Sequence, residues 1–177
     1  LTPRDIWAKK KAGVGARGGM APLSPVAASA SVGGMSHTLR PRFWERPLTH
    51  LNPTEWEALC DGCGKCCLNK LEDADTGVVE YTRIACRLLD DATCRCTQYP
   101  IRHQFVPECI RITPGTIAEV AYWMPATCAY RLRFEGRGLP DWHPLVTGDA
   151  ESVHAAGMSM RGRTVPEFEV DEEDWED

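Results

Sequence analysis

The segment CDGCGKCC, residues 60–67, places four thiols within eight positions, and two of them are adjacent. Four chemistries use such a concentration of sulfur: disulfide bonding, zinc binding, an iron–sulfur cluster and thiol catalysis. The segment also contains two glycines and a lysine, so it is too polar for its cysteines to serve as ordinary core side chains. The rest of the sequence has to decide among the four chemistries.

Five further cysteines follow the segment, and the spacings favour a metal centre. Two residues between a pair of thiolates let both point at one metal from a tight turn, and ligands from a distant segment then complete a tetrahedron. Three thiols at spacings of three also curl a loop around three corners of an iron–sulfur cubane. The candidate ligands are Cys60, Cys63, Cys66, Cys67, Cys86, Cys94, Cys96, Cys109 and Cys128.

The cysteine spacings contain evidence for two different metals. Thiolates with few histidines select zinc or iron–sulfur over magnesium, calcium or copper(II). The first three thiols favour an iron–sulfur cluster, whereas the C-x-C of Cys94 and Cys96 favours zinc. Iron–sulfur is therefore the first choice of cofactor and zinc the alternative. Because adjacent residues point in different directions, we expect either Cys66 or Cys67 to serve a second site or to pack. The cluster would be completed by Cys86, Cys96 or Cys109.

Disulfide bonding and thiol catalysis fit less well. Nine cysteines cannot all pair, and no secretory signal precedes them, so a reducing cytoplasm is the expected location. Lys65 would lower neighbouring thiol pKa values, but no thioredoxin-like βαβ pattern surrounds it. A nucleophilic pair of Cys128 with His143 stays open. The sequence contains no convergent acid–base set and no cofactor loop, so it names no reaction or substrate, and enzymatic activity stays uncertain.

The histidines and the acidic end have ordinary structural interpretations. His143 lies in DWHPL between Trp142 and Pro144, which indicates a fixed and ordered position, and we interpret it as a structural histidine. His103 is an alternative metal ligand in a mixed site. The eight acids from Glu167 to the C-terminus predict a solvated tail, with an oxygen-ligand cation site as a remote alternative.

Charge and composition predict three regions. Residues 1–42 form a basic arm that is expected to be disordered, as an upstream extension or a transit-like segment. Residues 43–170 form the cysteine-cluster domain, and residues 171–177 an acidic tail. From residue 45 onward there are 13 basic and 24 acidic side chains, which argues against nucleic acid as a partner. No apolar run is long enough for a membrane span.

Local patterns predict a small, irregular α+β domain with two or three short helices and few strands, organised by metal. A helix begins at LNPTEW, where Asn52 is the N-cap, Pro53 the first residue and Glu55 the third. Further helices are predicted over residues 113–123 and 126–136, the latter ending at its glycine. Strands are predicted within GVVEYTRIACRLL and RTVPEFEV, and GLPDWHPLVTGD is predicted as loop.

Several segments together resemble the YcgN-like branch of the bacterial CxxCxxCC cysteine-cluster proteins, a family labelled as a zinc- or iron-chelating domain. They cover about residues 43–170, in the family's order: LCDGCGKCCLNKLEDADTG, ACRLLDDATCRCTQY, TCAYRL and LPDWHPLVTGD. The wider family's pattern of cysteines falls on Cys60, Cys63, Cys66, Cys67, Cys86, Cys96 and Cys109, whereas Cys94 and Cys128 belong to the narrower branch. One departure is IRHQFVP, which stands where the family has Arg-Pro after its tyrosine motif.

The resemblance implies metal binding and supplies no reaction. Three functions follow as expectations. The first is an iron–sulfur or iron protein in electron transfer, sensing or an accessory role. The second is a structural zinc module that presents a surface to a protein partner. The third is a cluster- or thiol-dependent enzyme.

Overall fold

The computed structural model describes residues 39–171 and residue 174. The predicted basic arm lies outside these residues except at its last four positions, and so does most of the predicted acidic tail. The division into arm, domain and tail therefore stays a prediction. From Arg40 onward the described residues belong to one compact unit.

Short helices and short strands share this unit, so the predicted α+β class is confirmed. The described part of the chain contains six α-helices rather than two or three, and the longest have six residues. They are α1 (Pro53–Ala58), α2 (Arg102–Phe105), α3 (Ile117–Val120), α4 (Ala129–Phe134), α5 (Pro144–Thr147) and α6 (Ser152–Ala155). No helix among the described residues has the length and apolar character that a bilayer crossing requires.

Five strands form two small sheets in the described residues. They are β1 (Leu68–Glu72), β2 (Val79–Ala85), β3 (Leu89–Asp90), β4 (Arg95–Cys96) and β5 (Val165–Pro166). The first sheet has the order β1-β2-β5, with β1 antiparallel and β5 parallel to β2. The second sheet is the antiparallel hairpin β3-β4. The predicted strand within GVVEYTRIACRLL is thus confirmed as β2.

Six 3-10 turns connect these elements in the described part of the chain. They are Phe43–Glu45, Leu48–His50, Lys65–Cys67, Tyr99–Ile101, Ala121–Trp123 and Glu167–Glu169. With so few long elements, most of the chain path is set by turns and side-chain contacts rather than by extended backbone ladders. The position of each cysteine therefore depends on a few local anchors.

The apolar core lies between α1, α3 and α4. Its buried members are Phe43, Trp56, Leu59, Ile117, Val120, Trp123, Met124, Ala129 and Tyr130. The Trp56 ring packs on the Tyr130 ring with centroids 4.9 Å apart, and its indole N–H donates to Ile112 O at 2.9 Å. Cys60 and Cys128 pack against the edge of this core. The core therefore fixes the starting point of the cysteine-rich segment.

The first helix begins as its sequence predicts. The side chain of Asn52 accepts the N–H of Glu55 at 2.9 Å, and the carboxylate of Glu55 accepts the N–H of Asn52 at 3.1 Å. This reciprocal capping box satisfies two backbone donors that a helix start otherwise leaves open. Glu55 also accepts from the Arg40 guanidinium at 2.6 Å, and these hydrogen bonds lower its carboxyl pKa to about 2. Arg40 lies within the range predicted as the arm.

The segment GLPDWHPLVTGD was predicted as loop, and this prediction is wrong for four of its residues. The helix α5 forms there because the ring Nδ1 of His143 accepts the N–H of Leu145 at 3.0 Å and Pro144 occupies the first helical position. Histidine is an uncommon N-cap, so the pattern of usual capping residues did not indicate a helix start.

Two other predicted elements are shorter than expected. The single helix predicted over 113–123 is divided into α3 and the 3-10 turn that follows it. The strand predicted in RTVPEFEV extends over two residues only, because Pro166 lacks an N–H with which to continue a ladder. The helix predicted at 126–136 is confirmed as α4, and Gly136 follows its end with a φ of 73°.

Candidate metal centre

The cysteine-rich loop leaves α1 through two glycines in left-handed conformation. Gly62 and Gly64 have φ values of 77° and 78°, which side-chain-bearing residues rarely adopt. A 3-10 turn over Lys65–Cys67 follows, and Cys67 N–H donates to Gly64 O at 3.1 Å. The loop thus reverses direction within a few residues, as the glycines predict, and returns the chain to the start of β1.

The hairpin β3-β4 presses on this loop from outside. A methyl group at Gly64 would lie 3.2 Å from Cys94 Cβ, and one at Gly62 would lie 2.8 Å from the Arg95 guanidinium. On the other side, Met160 N–H donates to Cys63 O at 2.9 Å. Conformation therefore favours glycine at both positions, and packing against Cys94 adds a second constraint at Gly64. These contacts bring the C-x-C segment to the opening loop, although their first cysteines, Cys60 and Cys94, are 34 positions apart in the chain.

Four thiols form a first group around the loop, defined as Cys60, Cys63, Cys66 and Cys128. Burial and the neighbouring charge of Cys66 raise the pKa of Cys60 to about 12. Burial also raises the pKa of Cys128 to about 12, and the charge of Cys66 adds to this rise. The pKa of Cys63 is raised well above its ordinary value by burial, then by nearby charges that include Cys66. The charge of Cys66 therefore acts on the other three thiols of this group.

A second group of thiols, Cys67, Cys86 and Cys96, lies on the other side of the adjacent pair. Cys86 N–H donates to Cys67 O at 2.8 Å, which joins the end of β2 to the loop. The pKa of Cys67 is raised by its hydrogen bond to Cys66 and by the charge of Cys66, with further contributions from Cys86 and Cys96. The expectation that Cys66 or Cys67 serves a second site or packs stays a prediction.

Cys66 lies between the two thiol groups, and its thiol pKa is lowered. Its Sγ lies 4.0 Å from Cys67 Sγ. The hydrogen bond from Cys67 and the charge of Lys70 lower the pKa of Cys66 to about 7, against an opposing effect of burial. At neutral pH this thiol is therefore substantially a thiolate, the form that ligates metals. Cys66 is also solvent-exposed, so an entering ion can reach it.

Lys70 supplies positive charge beneath the loop. Its side chain is 7% exposed, and its ammonium donates to Leu68 O at 2.7 Å and to Cys66 O at 3.2 Å. The ammonium also lies 4.9 Å from the Trp123 ring centroid and 5.2 Å from the Tyr81 ring centroid. A buried cation beside a thiolate group offsets part of its mutual repulsion. The sequence analysis did not identify this residue.

Cys109 and Cys94 occupy the margins of the site. Burial raises the pKa of Cys109, the Arg102 guanidinium lowers it, and the charges of Cys96 and Cys66 raise it. Cys109 therefore lies within electrostatic reach of both thiol groups. Burial also raises the pKa of Cys94, and the charge of Asp91 adds to that rise. Cys94 contacts the loop through its packing on Gly64.

The two histidines singled out by sequence have different surroundings. His143 is fully buried, its Nε2 lies 3.2 Å from Leu59 O, and its Nδ1 caps α5. Burial lowers its pKa, so it is a neutral residue that ties α5 to the end of α1. This agrees with the structural interpretation and occupies both ring nitrogens. His103 Nε2 is buried and has no hydrogen-bond partner in the described part of the chain.

Asp61 is a second residue that the sequence analysis missed. It lies between the first two cysteines and is 5% exposed. Its Oδ1 accepts Cys63 N–H at 2.9 Å, whereas its Oδ2 is buried without a hydrogen-bond partner among the described residues. The only sequence signal was its position inside the motif, since burial of a carboxylate depends on how the loop packs.

The donor set fits a thiophilic metal. All nine cysteines lie within the described residues, and all are free thiols. Burial and neighbouring charges raise the pKa of six of them, so a bound cation would relieve repulsion as these thiols lose their protons. The six are Cys60, Cys63, Cys67, Cys94, Cys109 and Cys128. Within residues 39–171 and 174, no three Cys, His, Asp or Glu side chains form a ready-made arrangement that could hold a metal ion.

Comparison with known proteins identifies related sequences. The family CxxCxxCC, described as a "Putative zinc- or iron-chelating domain", matches residues 59–129. A UPF0260 protein of Rhodobacter capsulatus is 68% identical over 143 residues, which cover 81% of this chain and 96% of the relative. A UPF0260 protein of Rhizorhabdus wittichii is 59% identical over 129 residues, covering 72% of this chain and 88% of the relative.

A third relative comes from another organism. The UPF0260 protein of Ectopseudomonas mendocina is 57% identical over 136 residues, which cover 76% of this chain and 91% of the relative. No solved structure matches the chain. The matched domain begins at Leu59, where α1 ends, and extends to Ala129, the first residue of α4. All nine cysteines, from Cys60 to Cys128, lie inside the matched domain.

Proposed function

We propose that this chain, which belongs to the UPF0260 family and carries the CxxCxxCC domain, is a metal-binding protein whose thiolates hold an iron–sulfur cluster. Metal binding follows from the zinc- or iron-chelating domain. The choice of a cluster is our inference. One observation carries it: three thiols at spacings of three curl around a loop with two left-handed glycines, and a fourth thiol, Cys128 at the N-cap of α4, shares their electrostatic environment.

The first thiol group would hold the cluster. Cys60, Cys63 and Cys66 come from one loop, as in clusters bound by a C-x2-C-x2-C run, and Cys128 or Cys109 would complete the set. The buried ammonium of Lys70 would offset part of the negative charge that thiolates and sulfide accumulate. The charge of Cys66 contributes to the raised pKa of Cys109, which is one of the completing cysteines predicted from sequence.

When bound, such a cluster supplies one-electron transfer or a redox-sensitive structural element. Cys60 and Cys128 pack against the apolar core, Cys63 and Cys94 are buried, and Cys66 stays accessible. We propose an electron-transfer, sensing or accessory role, and electron transfer would require a partner protein. Free thiols persist best in a reducing compartment, which supports the cytoplasm as the location.

A structural zinc site is the second candidate, and one observation favours it. The second thiol group brings the end of β2 and the hairpin β3-β4 against Cys67, with Cys86 N–H bonded to Cys67 O at 2.8 Å. Zinc sites are commonly built from two such short segments. The two candidates differ in colour and in composition, so one preparation distinguishes them.

The test is metal analysis of the full chain purified without oxygen. We expect a brown protein that contains iron and acid-labile sulfide. Serine substitution at Cys63 and at Cys109 should each remove most of the bound iron, whereas serine substitution at Val146, which is 47% exposed and outside the cysteine loop, is the control and should retain it. A colourless protein that contains zinc would replace the cluster with the second candidate. Full metal content in both Cys63→Ser and Cys109→Ser would overturn the shared thiolate site altogether.

A further inference from the structure

Asp61 presents an unpartnered carboxylate oxygen inside the first thiol group. The residue is 5% exposed, and its Oδ1 is engaged by Cys63 N–H at 2.9 Å. Its Oδ2 is buried and lacks a hydrogen-bond partner among the described residues. A buried charged oxygen without a partner is strongly unfavourable, and native proteins rarely contain one unless it binds something. The position therefore indicates a ligand that the protein's own donors do not provide.

The surroundings of Asp61 indicate what that ligand is. Asp61 follows Cys60 directly in the chain, and its Oδ1 accepts Cys63 N–H at 2.9 Å. Its carboxylate therefore lies within the loop that carries the first thiols. An additional anion among four thiols would only add repulsion, unless a cation occupies the space between them.

No cationic side chain of the described residues hydrogen-bonds to Asp61 Oδ2. Lys70 donates instead to two backbone carbonyls at 2.7 Å and 3.2 Å. The Arg95 guanidinium packs over Gly62. Both ring nitrogens of His143 have other partners. A thiophilic metal cation is a ligand that would satisfy Asp61 and the thiolates together.

We propose that Asp61 is a carboxylate ligand of the metal centre and binds through Oδ2 alongside the first thiol group. This inference rests on the proposed metal-binding function. Zinc and iron both accept aspartate oxygen together with cysteine sulfur. Oδ1 stays bonded to Cys63 N–H, which would orient the carboxylate in the way that outer hydrogen bonds commonly orient metal ligands. The centre would then have a mixed sulfur and oxygen donor set.

The test compares the full chain with two substitutions at this residue. Asp61→Asn retains an oxygen that can accept Cys63 N–H and removes the charged ligand. Asp61→Cys replaces the carboxylate with a thiolate. Asp75→Asn is the matched control, because it makes the same charge change at an exposed position on the turn between β1 and β2. Cobalt(II) is the probe, since its thiolate-to-metal absorption reports the number of sulfur ligands.

We expect Asp61→Asn to bind cobalt(II) about 10–100-fold more weakly, the range found when groups that support a metal site are removed. We expect Asp61→Cys to retain binding with stronger thiolate-to-metal absorption, and Asp75→Asn to match the unmodified chain. As-isolated metal content, measured on the same proteins, should follow the same order.

Two results would overturn the inference while leaving the proposed function intact. The first is an unmodified chain that binds metal and an Asp61→Asn variant with equal affinity and an equal spectrum. The second is loss of metal in both Asp61 variants accompanied by a lower melting temperature of their metal-free forms, which would assign Asp61 to holding the loop. If the unmodified chain binds neither cobalt(II), zinc nor iron, the proposed function fails, and this inference fails with it.

Discussion

Leu59 and Cys60 are adjacent in the chain, but they belong to two different regions. The side chains of one region are apolar, whereas the other region contains the thiols. Leu59 is fully buried in the apolar core, where hydrophobic contacts require no further component. Cys60 opens the thiol groups, where burial and neighbouring charge raise its pKa to about 12. The apolar core therefore needs only the residues of the chain. The thiols would repel one another on losing their protons, and a bound cation would relieve that repulsion. The comparison predicts that the two regions respond differently to the same perturbation.

The two regions also differ in how their backbone is supported. The core lies on α1, α3 and α4, which satisfy their own backbone groups. The thiol groups lie on a glycine loop, a two-residue hairpin and single hydrogen bonds such as Cys86 N–H to Cys67 O. Structural metal sites characteristically supply folding free energy to segments of this kind.

The largest expected effect is that of metal removal. Structural zinc contributes about 10–16 kcal/mol of apparent binding free energy in small metal-folded domains, so chelation should loosen the thiol groups first. Under anaerobic chelation, we expect the amides of Cys86 and Met160 to lose hydrogen-exchange protection, because both donate to the cysteine loop. Trp56 and Met124 should stay protected, because their amides donate to Asn52 O and Ala121 O, which are outside the thiol groups. Equal loss at all four amides would remove the distinction between the regions.

The second effect is a cavity in the core. Leu59→Ala should destabilise the chain by about 2–5 kcal/mol, because it removes a fully buried side chain. Val146→Ala is the control, since Val146 is 47% exposed and its truncation should change stability by less than about 0.5 kcal/mol. Chemical denaturation of the metal-loaded and chelated forms measures both. We expect the cost of Leu59→Ala to persist without metal, and its disappearance after chelation would show that the core depends on the thiol groups.

The contrast between the regions explains which features the sequence could predict. The capping box at α1 and the glycine loop depend on residues within a few positions of one another, so local rules identified them. The contact between Cys94 and Gly64 depends on the packing of a distant hairpin, and no local pattern contains it. His143 capping α5 belongs to the same class, because Leu59 O helps to fix its ring.

The sequence did not indicate the charged residues Lys70 and Asp61, and the reason is again that their positions depend on tertiary packing. Lys70 lies in a strand with three consecutive buried residues, beside an irregularity in the pairing of β1 and β2. Alternation along a regular strand would have predicted an outward side chain at one of these positions, but the bulge changes the direction locally. Asp61 is buried by loop packing. The cysteine types predicted the chemistry of the site, whereas the charged residues that tune it depend on tertiary structure.

The third prediction concerns how closely the hairpin β3-β4 packs on the cysteine-rich loop. Gly64→Ala forces a side chain into a left-handed residue, at about 1–2 kcal/mol, and also into contact with Cys94. Gly136→Ala is the matched control, because Gly136 has a φ of 73° and nothing within 4 Å of an added methyl group. Thermal unfolding should show the larger loss for Gly64→Ala, together with weaker metal binding in that variant alone. Equal losses and unchanged metal binding would mean that the hairpin does not constrain the loop.

The smallest effect concerns the helix that joins the two regions. Hydrogen bonds from Arg40 hold the pKa of Glu55 at about 2, below its ordinary value of 4.5. A depressed carboxyl pKa stabilises the folded state above pH 4.5, and this contribution is lost as the pH falls towards 2. Glu55→Gln retains an acceptor for the capping box but has no charge to titrate. Urea midpoints should therefore fall more steeply over this acid range for the unmodified chain than for Glu55→Gln. Parallel curves would show that the Arg40 contact does not stabilise the start of α1.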